Sequence, residues 1–198
     1  MSQKVNKLSE NHLKILSVFT SGFDKKCYIR EVQKLLKIST RTAQLVLQDL
    51  EKRGILGSKT VGKNKMYGLV PTILAKEYVL LAENYKTIQL LERQQVIKDL
   101  VEKLLPAIKG VAMIFGSYSK GLQKKDSDLD ILVVGTCDRK KVRELSRLYG
   151  LEISVKQYAP EIFWKKLHKD ILIKEVLDNH VLLSGREGFI DKVIDWTR

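Results

Sequence analysis

The sequence has few of the residues from which small proteins build covalent or metal staples. Its 198 residues include two cysteines, Cys27 and Cys137, far apart in the chain, and three histidines, His12, His168 and His180, with no ligand spacing among them. Neither a disulfide framework nor a Cys/His metal knuckle is written here, so these residues read as ordinary packing or surface groups. No apolar run approaches the roughly 18 residues of a membrane span. The stretch Met1-Ser2-Gln3-Lys4-Val5-Asn6-Lys7 lacks the apolar core of a secretory signal. The expected location is therefore cytoplasmic, with no membrane partner. Prolines are scarce too: Pro71 and Pro106 bracket a stretch rich in helix formers, and Pro160 stands where a helix would open.

Positive charge is abundant, and it is unevenly placed. The net charge is +13, and residues 1–70 hold 14 Lys/Arg against 5 Asp/Glu. Residues 71–105 balance at 5 and 5, while residues 106–198 hold 17 against 13. A basic excess gathered on a small N-terminal region attracts phosphate backbones and predicts salt-sensitive nucleic-acid binding, the alternative being a solvated basic surface. With 44% hydrophobic and 30% charged residues the chain is not disorder-prone, and it is long enough for two small globular domains.

The segment richest in chemistry begins with Val111-Ala112-Met113-Ile114-Phe115, a run with the length and composition of a buried strand. Gly116-Ser117-Tyr118-Ser119-Lys120-Gly121 follows, then five residues, then Ser127-Asp128-Leu129-Asp130 and a second apolar run, Ile131-Leu132-Val133-Val134. Glycine at a strand-to-helix turn lets an anion approach backbone N–H groups closely. Strand side chains alternate, so Asp128 and Asp130 point to one face while Leu129 and Ile131 point to the other. Two carboxylates beside a phosphate turn suggest a divalent cation.

This pattern resembles the minimal nucleotidyltransferases of the DNA polymerase β superfamily, antitoxin-type members included. The resemblance implies that Gly116, Ser117 and Lys120 bind the phosphates of a nucleoside triphosphate such as ATP. It implies further that Asp128 and Asp130 are catalytic and hold Mg²⁺ for in-line phosphoryl transfer. A third carboxylate usually completes such sites from a later strand. Leu151-Glu152-Ile153-Ser154-Val155-Lys156 alternates apolar and polar residues, making Glu152 the candidate for general base or third metal ligand. Lys156 on the same face could instead pair with Glu152 and leave it an ordinary strand residue.

Upstream, Ser9 is placed to cap a helix over Glu10 to Thr20 that Gly22 and Asp24 break. A short segment at Tyr28-Ile29 leads to a helix from Glu31 to Lys37. A third helix, 39–53, buries Ala43, Val46, Leu47 and Leu50, and Gly54 ends it. Its other face presents Thr40, Arg41, Gln44 and Gln48, and the hairpin 55–69 carries Lys63 and Lys65 at its tip. This order resembles a winged helix-turn-helix domain, which implies duplex DNA as a partner, with helix 39–53 as recognition helix.

The expected architecture is α+β: a winged helix-turn-helix domain over 1–70, a helical linker over 71–105, and a mixed-sheet nucleotidyltransferase domain with helices on one face over 106–198. The linker's apolar stripe, from Leu74 to Leu104, exceeds what a bare connection needs, so part should cover the sheet and part could form a two-fold dimer contact. The implied reaction moves a nucleoside monophosphate from a triphosphate to a protein, an RNA or a small molecule. A helical toxin-type protein is the partner that the antitoxin resemblance implies. The competing reading is a DNA-binding regulator whose second domain senses nucleotide, or binds a partner, without turnover.

Overall fold

The computed structural model describes residues 7–195. Residues 1–6 and 196–198, which open the first expected domain and close the last, lie outside the described residues.

The N-terminal part runs α1 (Glu10–Phe19), β1 (Cys27–Tyr28), α2 (Ile29–Leu36), α3 (Thr40–Lys52), β2 (Leu56–Val61) and β3 (Asn64–Leu69). The three strands form one antiparallel sheet in the order β1-β3-β2. Helices followed by a β2–β3 hairpin give the winged helix order expected. Each helix forms for a local reason. Ser9 precedes α1, and its N–H donates to Nδ1 of His12 (3.2 Å), while His12 Nε2 donates to Asp49 Oδ2 of α3 (3.0 Å). His12 thus caps one helix and ties it to another. The Ser39 hydroxyl caps α3 by accepting from Thr42 N–H. Ile15, Leu16, Phe19, Val32, Ala43, Leu47 and Leu50 then meet in one core.

α4 (Ile73–Arg93) and α5 (Gln95–Leu104) occupy the expected linker, but α4 is more than a connection. Its Ala75 and Ala82 complete the winged-helix core, its Val79 enters a second core, and its Leu90 a third. α4 reaches all three cores because its apolar residues lie on more than one side of the helix.

Beyond α5 come β4 (Ile108–Phe115), α6 (Gly116–Lys120), β5 (Leu129–Cys137), α7 (Arg139–Tyr149) and β6 (Ile153–Tyr158), followed by α8 (Pro160–Lys166), α9 (Ile171–Asp178), β7 (Val181–Ser184) and α10 (Arg186–Asp195). The sheet is mixed, in the order β6-β5-β4-β7, with β5 and β6 parallel and the other pairs antiparallel. On one face Ala112, Ile114, Ile131 and Val133 pack beneath α5 and α7. The opposite face is covered as well over part of its extent: Met113, Phe115, Leu132 and Val134 meet Phe163, Ile173, Phe189 and Val193 of α8, α9 and α10. Helices thus stand on both sides of the sheet rather than only one. The second layer exists because alternate positions of the two strands, 113 and 115 in β4 and 132 and 134 in β5, are apolar and need cover.

Phe23 joins the two parts. It lies in the loop after α1 yet packs in the second core, stacked on His180 (centroids 5.4 Å apart) and edge-on to Phe189 (5.9 Å). Its φ of 59° is a left-handed conformation that costs a bulky residue about 1–3 kcal/mol. Gly22 N–H donates to Leu177 O (2.9 Å) alongside it.

Next to Phe23 lies a buried charge cluster. Glu83 has no exposed surface; its carboxylate meets Lys86 Nζ at 2.7 Å and His180 Nε2 at 3.2 Å. Burial alone would raise the Glu83 carboxyl, but Lys86 and His180 outweigh burial and bring it down to about 2. A depressed carboxyl contributes stability in full above its unfolded value of 4.5, and that contribution is lost as pH falls from there toward 2. Removing one partner strands the other, so Lys86→Met should cost about 3 kcal/mol in urea unfolding at pH 7. The double variant Glu83→Gln, Lys86→Met should cost less than the sum of the two single variants, and a loss equal to that sum would show that the pair is not coupled.

Candidate active site

The site is built at the carboxyl end of β4 and the start of β5. Phe115 of β4 lies opposite Asp130 of β5, so the turn that follows Phe115 stands directly over the Asp130 side chain. Gly116 makes this possible. Its φ is +72°, and a Cβ there would sit 2.6 Å from Asp130 Oδ2. Any other residue would both strain the turn and displace the carboxylate. The Ser119 hydroxyl lies within hydrogen-bond distance of Gly116 O (2.9 Å) and Asn179 O (2.8 Å), and Leu122 N–H closes the turn onto Ser117 O (2.9 Å).

The approach to β5 is fixed in the same way. Ser127 accepts from Lys124 N–H through its hydroxyl (2.8 Å) and donates its own N–H to Lys124 O (3.1 Å). Leu129 N–H then donates to Glu152 O (2.8 Å), which anchors the segment to β6. Asp128 is exposed and Asp130 half-buried. Burial raises the Asp130 carboxyl first and the neighbouring Asp128 charge raises it further; a hydrogen bond from Ser154 and the Lys156 ammonium act the other way. Ser154 is the cross-strand partner of Asp130 in the parallel register. Two close carboxylates, one of them pushed upward by burial and by the other, make a donor set that a divalent cation would relieve.

The remaining expected residues divide. Ser117 is partly buried within the turn, and Lys120 is exposed, 3.6 Å from Glu175 Oε1 of α9. Glu152 is exposed just ahead of β6, with its carbonyl used by Leu129. The charges acting on Asp130 are those of Asp128, Lys156 and Glu175. Among the described residues there is no group of three or more His, Cys, Asp or Glu placed to share a metal ion. Asp128 and Asp130 thus act on one another, and Glu152 lies just ahead of β6, beside the start of β5. Glu175 is a neighbour that the sequence pattern did not point to. Its helix was not anticipated, although the signals are present: Asp170 accepts from Leu172 N–H and Ile173 N–H as an N-cap, and Ile173, Val176 and Leu177 form the buried stripe.

Sequence comparison decides the affiliation. A putative protein adenylyltransferase of Methanocaldococcus jannaschii is 32% identical over 93 residues, which cover 93% of its length and 41% of this chain. The nucleotidyltransferase domain family matches residues 93–183. The chain belongs to the nucleotidyltransferase family. The match begins at the last residue of α4, includes the turn at Gly116 and both aspartates, and ends within β7. Among solved structures, the adhesin competence repressor of Streptococcus pyogenes aligns over 48% of this chain and 70% of its own at 17% identity and a TM-score of 0.39. A DNA-binding protein of Sulfolobus solfataricus aligns over 46% and 90%, respectively, at 27% identity and a TM-score of 0.33. These two are loose likenesses.

The N-terminal part of this nucleotidyltransferase presents a second candidate surface. Thr40, Arg41 and Gln48 are exposed along α3 and Gln44 is partly so. Lys63 is exposed at the hairpin tip. Lys65 is already engaged: its ammonium pairs with Glu51 Oε2 at 2.7 Å and lies over the Tyr67 ring, and the Glu51 hydrogen bond raises its pKa. No helix among the described residues is long and apolar enough to cross a membrane.

Proposed function

We propose that this protein transfers adenylate from ATP to a protein hydroxyl and that it binds duplex DNA through its winged helix. The observation that carries the first part is the close approach of Gly116 to Asp130, which sets the backbone of the strand-to-helix turn against a carboxylate pair. The name of the Methanocaldococcus relative supports adenylate and a protein acceptor. Asp128 and Asp130 would hold Mg²⁺, which when bound supplies charge to activate the attacking oxygen and to offset the leaving pyrophosphate. The chain's own residues do the rest. Gly116 and Ser117 N–H groups orient the triphosphate, and Lys120 leaves Glu175 for a phosphate oxygen. Ser154 holds Asp130 in position, and Glu152 would serve as the base that takes the acceptor's proton. The acceptor arrives on a separate molecule, and a helical toxin-type protein fits that role.

The measurement is transfer of labelled AMP from ATP in the presence of Mg²⁺ and candidate acceptors, with pyrophosphate release as the second readout. Pyrophosphate without label on protein would point to an RNA or small-molecule acceptor. Absence of both, with nucleotide-responsive DNA binding retained, would favour a regulator without turnover.

For DNA, the basic excess of residues 1–70 and the exposed row on α3 support a recognition helix in the major groove, with the protein in the cytoplasm and two copies suited to paired half-sites. In the full-length protein, Arg41→Ala should weaken duplex binding by about 1–3 kcal/mol if it reaches a base edge. Lys63→Ala should lower the salt slope by about 1. Lys65→Ala should matter less, because its charge is spent on Glu51. A salt slope unchanged in all three would place the DNA elsewhere.

A further inference from the structure

We infer that the outer face of α7 is a contact surface for the phosphodiester backbone of duplex DNA, separate from α3 and the hairpin tip. The helix carries five Lys/Arg and one Glu in eleven residues, net +4. Residues 106–198 as a whole, with 17 Lys/Arg against 13 Asp/Glu, also carry net +4. The rest of this half is therefore balanced, and its whole excess lies on a single helix.

The faces of α7 have different duties. Val142 and Leu145 are buried in the core shared with α5. Arg139 turns toward the sheet and donates to Val155 O (3.0 Å) and Gln157 Oε1 (3.3 Å). Lys141 is paired with Glu144 at 2.8 Å. Lys140, Arg143 and Arg147 remain, all exposed and with no side-chain hydrogen bond or ion pair among the described residues. At i, i+3 and i+7 they share one face and extend about 10 Å along the axis. Consecutive phosphates of one DNA strand advance about 3.4 Å, so the row covers about three steps.

Two physical arguments say that this row is not placed for the stability of the free protein. Cations at 139–141 crowd the N-terminal turn of α7, where the helix dipole disfavours positive charge. Arg143 and Arg147 are like charges at i and i+4, which repel. A polyanion reverses both effects. An acidic protein is the less suitable occupant, because protein interfaces centre on apolar and aromatic anchors. The depression lined by Lys140, Arg143, Glu144, Arg147 and Leu148 offers only Leu148 as an apolar group.

The test uses the full chain and the triple variant Lys140→Ala, Arg143→Ala, Arg147→Ala, with the triple glutamine variant as a second form. Binding to a duplex DNA and to a single-stranded RNA is measured between 50 and 200 mM salt. Folding is checked by the thermal midpoint, expected to be unchanged or slightly higher. Each lost phosphate contact lowers the slope of log affinity against log salt by about 0.9 for duplex and about 0.7 for single strands, so a fall of about 2–3 is expected. A fall with the duplex supports the proposal, and a fall confined to RNA overturns it. Slopes unchanged with both nucleic acids overturn the proposal, as does a loss confined to a polyglutamate control.

Discussion

Replacing Asp130 with asparagine should cut nucleotidyl transfer by about 10³-fold or more, and Asp128→Asn should do the same, while the fold and DNA binding persist. Asparagine keeps the size of the side chain and removes its charge. In the free protein that is close to neutral for stability, because Asp130 is held unfavourably: burial raises its carboxyl and Asp128 raises it again. The expected pattern is therefore a variant as stable as the parent, or slightly more so, with almost no activity. Glu152→Gln separates two roles in the same assay. A loss as large as that of the aspartate variants would make it the general base, whereas near-normal transfer would leave it an ordinary residue ahead of β6. Full activity in Asp130→Asn would remove the carboxylate pair from the reaction altogether.

Gly116→Val should abolish nucleotide binding. A triphosphate with Mg²⁺ at about 100 times its Kd stabilises a protein by about 2.7 kcal/mol, which for a chain of this size raises the thermal midpoint by about 5–10 °C. The valine variant should melt somewhat lower than the parent and show no rise on adding nucleotide. The reason is double: φ of +72° suits only glycine well, and a Cβ would press within 2.6 Å of Asp130 Oδ2. The turn's backbone and the carboxylate would be displaced together. An equal rise in the variant would place the nucleotide at another site.

Much of this was legible in the chain because the informative features are local. Gly116 needs only its own backbone conformation to be required, and Asp128 and Asp130 need only strand alternation to share a face. The helix periods of α1 and α3, and the order of helices and hairpin, follow from stripes such as Ala43, Val46, Leu47 and Leu50. What stayed hidden depends on contacts across long separations. Nothing near Phe23 in sequence says that its ring will stack on His180 in another core. The role of Glu175 beside Lys120 follows from how α9 packs, which no motif records. Lys65 looked available for DNA until the fold placed Glu51, fourteen residues earlier, against it. The second helical layer on the sheet was obscured for a similar reason. The apolar character of Leu132 and Val134 is plain, but which elements return to cover them is decided by the packing of α8, α9 and α10.

The way α4 and Phe23 serve more than one core bears on how the molecule comes apart. Neither half can melt away and leave the other intact, since loss of α4 opens the winged-helix core and the sheet's cover at once. Cooperative unfolding of this kind makes the stability of each half common property. On the proposed function, a nucleotide bound over the sheet would therefore raise the unfolding midpoint of the whole cooperative unit, α3 included, and a duplex bound at α3 would do the same for the carboxylate site.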